Sequence, residues 1–114
     1  MSETLTLIYE RALDMLGDGH HPERWCRGIA AENETTGRVP WNSPRATAVC
    51  LVCALQRSQA NSSSVYRPSP AVDFMAQKLQ VPSLQVWNDI PGRTYQEVIE
   101  ALRATLAAAR VKNL

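Results

Sequence analysis

The sequence predicts a mainly α single domain, residues 1–114. About four helices are expected around a buried central helix at 43–57, with a short β-hairpin or irregular insertion at about 25–40. Three observations carry that prediction. Every residue from Ala48 to Leu55 is apolar or a cysteine, and a helix that is apolar all round is a buried one. Tyr95, Val98, Ile99, Leu102, Leu106 and Ala109 recur with a helical period. Glu32-Asn33-Glu34-Thr35-Thr36-Gly37 is turn-forming and leads to an extended Arg38-Val39 ahead of Pro40.

In chain order, Ser2 to Leu16 reads as the first helix. Leu5, Ile8, Tyr9, Ala12, Met15 and Leu16 share one face. Ser2 is placed as its cap and Gly17 and Gly19 as its stop. The stretch from Trp25 to Val39 is the insertion. Ser43 and Pro44 offer a cap and a first helical residue for the central helix. Ser58 to Pro68 is polar and serine-rich and reads as a flexible loop outside the core. Ser69-Pro70 repeats the Ser-Pro start, and Val72, Met75, Ala76 and Leu79 give the next helix its apolar face before Pro82. Ser83 to Arg93 is punctuated and reads as a turn region. Thr94 and Glu97 then form a capping box for the last helix.

Composition excludes several function classes. Twelve basic against eleven acidic side chains give a net charge of +1, so generic nucleic-acid binding is not expected. Eight apolar residues in the longest run fall short of the ~20 that span a bilayer, so no membrane role is expected. The N-terminus lacks a basic region followed by an apolar stretch and a cleavage site. With an odd count of three cysteines, a reducing, cytoplasmic setting is the expectation. No Gly-rich phosphate loop, H-E-x-x-H or G-x-S-x-G occurs.

The candidate chemistry is sparse. Cys50 and Cys53 form a C-x-x-C that could chelate a metal or cycle as a redox pair, with Cys26, His20 and His21 as further ligands. The apolar run around both thiols favours structural burial instead. No second C-x-x-C is present, and a redox motif is expected just after a strand at a helix start. Neither a metal nor a cofactor is therefore expected. Cys26 with His20 or His21 could make a nucleophile pair, but no flanking signature supports it. Asp89 could act as a general base or bind a ligand cation; before Pro91-Gly92 the favoured role is to brace a turn, pairing with Arg93. Trp87 is expected to be buried over the junction between the last helix and the central one. Trp25, Trp41 and Trp87, with Asn88, Asp89 and Arg93, form the candidate interaction set, since Trp and Arg are frequent binding anchors; the tryptophans could equally close the open ends of a small helical core, the favoured role for at least two of them.

These residues resemble a small bacterial and phage domain family of unknown function. The likeness rests on Trp25-x-x-Gly28, on Ala48-x-Cys50-Leu51-x-x-Ala54-Leu55 and on Trp87-Asn88-Asp89-x-Pro91-Gly92-Arg93-Thr94-x-x-Glu97-Val98. The corresponding family motifs are W-x-x-G, W-C-x-x-G-A-L and W-N-D-x-P-G-R-T-x-x-E-V. The family helix has Gly where this chain has Cys53, and commonly an aromatic where it has Val49, so the resemblance implies no metal site at Cys53. It implies a common fold and supplies no activity. The expectation is a small non-enzymatic module that binds another protein, with a homodimer as a further arrangement. A phage anti-defence or anti-CRISPR role is compatible with size and family context. The alternative is a metal- or thiol-dependent enzyme using Cys26, His20, His21 or Asp89.

Overall fold

A computed structural model describes residues 4–59 and 69–114. The mainly helical reading holds. Five α-helices and a three-stranded sheet form among the described residues: α1 Leu5–Met15, β1 Ala31–Asn33, β2 Gly37–Arg38, β3 Ala48–Val49, α2 Leu51–Arg57, α3 Pro70–Leu79, α4 Leu84–Asp89 and α5 Tyr95–Val111. A single 3-10 turn at Pro22–Arg24 separates α1 from the sheet.

α1 starts at Leu5, the first residue of its apolar stripe, and not at Ser2. Thr4 is its cap, accepting from Leu7 N at 3.1 Å, and Ser2 lies outside the described residues. The stop is as expected. Asp18 N donates to Leu13 O and Gly17 N to Asp14 O, the paired bonds that close a helix around a left-handed residue. Gly17 has φ +87°, and a Cβ built there would sit 2.4 Å from the Cβ of His21. Only glycine fits that turn.

The insertion is a true hairpin. β1 and β2 pair antiparallel with Asn33 opposite Gly37, and Asn33 Oδ1 accepts from Thr35 N and Thr36 N to shape the turn. β3 pairs with the other edge of β1, giving the order β2-β1-β3. That third strand overturns the central helix at 43–57. Its first half is a turn, a bend and a strand, and helix begins only at Leu51, capped by the Cys50 thiol rather than by Ser43. The physical reason is that a continuous apolar run fits a buried strand as well as a buried helix. Here it is divided between the two.

α2 is nonetheless the centre of the molecule, with Leu51 to Gln56 all buried. α1, α3 and α4 pack on it, and α5 lies along α1 and α3. Ser58, expected in a loop outside the core, is buried and bonds back to Ala54 O at 2.7 Å. Gln59 is half-buried and donates from Nε2 to Ser69 Oγ, and the remainder of that expected loop, 60–68, lies outside the described residues. Tyr9 is fully buried in the core with its hydroxyl donating to Ala71 O. The capping box of α5 forms as read from Thr94 and Glu97.

Candidate functional site

The stretch from Ser83 to Arg93, expected as a turn region, contains α4. Ser83 caps it, accepting from Val86 N at 3.2 Å. Six residues give α4 two distinct sides. Leu84 and Asn88, one helical turn apart, are buried. Val86, and Ile90 at the C-cap just past the helix, are 63% and 41% exposed.

Asn88 is the hub of the inner side. It is fully buried, yet both ends of its amide are used. Its Oδ1 accepts from the Trp25 indole Nε1 at 2.7 Å and from Leu51 N at 3.1 Å. Its Nδ2 donates to Cys26 O at 3.3 Å and to Asp89 Oδ1 at 2.9 Å. One side chain thus ties the Trp25–Gly28 segment, the start of α2 and α4 together. A buried amide must be satisfied this way, since each unmade bond costs ~1–3 kcal/mol.

Asp89 completes the clasp differently from expectation. Its Oδ1 accepts from Gly28 N at 2.9 Å and its Oδ2 from Gln85 Nε2 at 2.8 Å. It reaches across to the Trp25–Gly28 segment and does not pair with Arg93. Burial alone would raise its pKa, but the hydrogen bonds from Gly28 N, Gln85 and Asn88 outweigh burial and hold the carboxyl below its ordinary value. Arg93 instead folds back on its own helix-turn. Its guanidinium lies 4.0 Å from the centre of the Trp87 ring, its Nε donates to Trp87 O, and Nη1 pairs with Glu97. Trp87, expected to be buried, is half-buried: it packs against the core with an arginine stacked on it. Such stacking on an aromatic face is a favourable use of the planar guanidinium.

Five of the six residues read as an interaction set, Trp25, Trp87, Asn88, Asp89 and Arg93, meet around α4. Trp41 does not join them. It lies before β3, where its carbonyl accepts from the Cys53 thiol and from Arg57 Nη1, both at 3.0 Å. Gly28 is the participant that sequence reasoning left without a role. Its place three residues after Trp25, in the Trp25-x-x-Gly28 motif, was the available signal, but the bond to Asp89 spans 61 positions.

The thiol and histidine candidates are dispersed. Cys26 turns its thiol to the carbonyls of Ile29 and Ala30. His20 is exposed, and His21 pairs with Glu23 at the surface. Among the described residues no three His, Cys, Asp or Glu side chains gather as a metal-holding group. Cys50 does follow a strand and cap a helix, the placement whose expected lack had argued against a redox pair. Its surroundings work against reactivity. Cys26, Cys50 and Cys53 are free and buried, and desolvation raises all three thiols, Cys53 to about 12.

That shift sets a pH dependence. A group whose pKa rises on folding keeps its full stabilising contribution below the unfolded value, and loses it as pH rises through the folded one. For Cys53 the window runs from 9.0 to about 12. Stability measured by urea titration should thus fall steadily as pH is raised above the ordinary thiol range. A Cys53→Ala variant should show a flatter alkaline profile; an unchanged profile would remove Cys53 from the account.

No curated protein and no solved structure matches the chain. The model of a family of unknown function, DUF6197, covers residues 1–108, and the chain belongs to that family.

Proposed function

We propose that the protein is a non-enzymatic interaction module that binds another protein through the outer side of α4. One observation carries this reading: Val86 on α4 and Ile90 at its C-cap are both exposed, while the inner side of the helix is clamped. Trp87 lies between them in sequence with Arg93 stacked on it, and Arg27 reaches Ile90 O from the neighbouring segment. Exposed aliphatics flanked by Trp and Arg on a rigid element are the composition of a binding anchor. The clasp supports the same reading, because it commits Asn88 and Asp89 to internal bonds and fixes the surface they support.

A cytoplasmic setting belongs to this proposal, supported by three free cysteines. Among the described residues no helix is long and apolar enough to cross a membrane. A phage protein that blocks a host defence complex is a narrower form of the proposal, supported by the chain's size and its family likeness.

The test is affinity capture from host lysate with the wild type and a Val86→Glu/Ile90→Glu variant. Both positions face solvent, so the variant should fold with unchanged far-UV circular dichroism. A protein captured by the wild type and lost by the variant is the expected result. Equal capture by both would move the interface elsewhere. Self-association that disappears in the variant, read by sedimentation, would make a second copy of this chain the partner.

A further inference from the structure

We propose that the recess between the 3-10 turn and β3 is a binding site for a compact oxyanion, a phosphate group either free or borne on a small molecule. The recess has a volume of about 200 Å³, and its walls include Met15, Arg24, Thr47, Val49 and Arg57. Two arginines therefore line one small recess, and no carboxylate-bearing residue is among the described residues that line it. Like charges facing a common recess repel, and an oxyanion between them converts that repulsion into charge-assisted hydrogen bonds.

Arg57 is held in place before any ligand arrives. Its Nη1 donates to Trp41 O and to Ser43 O, each at 3.0 Å. A guanidinium has five N–H donors, and these two bonds engage a single nitrogen. The Thr47 wall is fixed as well, its hydroxyl oxygen accepting from Glu34 N at 3.0 Å. Arg24 comes from the 3-10 turn, makes no ion pair among the described residues, and is exposed.

A second pair of arginines shows the contrast. In the groove between α1 and α5, Arg103 pairs with Asp18 and Arg110 with Glu10, each at 3.0 Å. Those charges are already answered by the protein. The chain as a whole carries only +1. The size of the recess suits one phosphate group and not a polyanion, whose recognition needs an extended basic surface.

The test is a titration of ¹⁵N-labelled protein with inorganic phosphate at constant ionic strength, with sodium chloride as the control. Saturable shifts at the Ala48 and Val49 amides and the Arg24 and Arg57 Nε signals are expected with phosphate and not with chloride. Arg24→Gln should weaken binding about tenfold, the loss of one charge-assisted contact. That exposed position leaves the fold intact, whereas Arg57→Gln would also lose the bonds to Trp41 and Ser43. Glycerol 3-phosphate serves as the second arm. Tighter binding than phosphate assigns the site to a phosphorylated small molecule, and equal binding assigns it to the free anion. Shifts that do not saturate with either probe, or that Arg24→Gln leaves unchanged, would overturn the proposal.

Discussion

Asn88→Ala should destabilise the protein by about 3–5 kcal/mol, because buried polar groups left without partners each cost ~1–3 kcal/mol. The substitution removes the side chain that joins the Trp25 indole, the Leu51 amide and the Cys26 carbonyl. Against a typical domain stability of ~5–15 kcal/mol, that is a large fraction. Urea titration should show a lower midpoint at an unchanged slope. Asn88→Asp is the informative companion. It keeps the shape and the two accepting contacts, but sets a carboxylate against Cys26 O and the Asp89 carboxylate. Its folded pKa should be raised, so its stability should recover as pH falls and decline as pH rises through that value. An Asn88→Ala protein within about 1 kcal/mol of wild type would mean the network does not hold the segments together.

Leu55→Ala should cost about 2–5 kcal/mol, the range for emptying a buried leucine site. Leu55 is fully buried on α2, the helix on which α1, α3 and α4 converge. A seven-residue helix has little stability of its own. Its position depends on packing, so the surroundings have no independent support from which to collapse into the gap. Leu7→Ala is the control. At 37% exposure on α1, Leu7 should change stability by no more than about 0.5 kcal/mol. Similar losses at the two positions, by thermal or urea unfolding, would show that α2 is not the packing centre.

The elements legible in the sequence are those whose signals are local. α5 announces itself through a capping box and a sustained stripe, α3 through Ser69-Pro70, and the hairpin through the turn around Asn33 and Gly37. The central helix was legible as buried but not as helix throughout. Ala48 and Val49 are as apolar as Leu51 and Val52, and nothing in that run marks where strand becomes helix. α4 is too short for periodicity to speak, although Ser83 and the Leu84/Asn88 pair were a faint sign of it. The candidate site was half legible. Its residue types pointed to one another, but polarity made Asn88 look like surface. Its partners lie 37 to 63 positions away, beyond any local rule. Asp89 was read against Arg93 because they are close in sequence, and the fold gave it Gly28 instead.

Those separations also bear on the order of folding. A bond that joins distant segments cannot form until the intervening chain has been brought into place. α4 has no means of persisting alone, so its hub is expected to close after α1, α5 and the hairpin have assembled. Interactions formed that late do little to speed the search for the native state and much to delay its escape. The deficit of Asn88→Ala should then appear in the unfolding limb of a chevron plot, with the refolding limb nearly unmoved. On this view the clasp acts as a latch on the lifetime of the folded molecule, and a chain lacking it would still fold at its usual pace but open far more often.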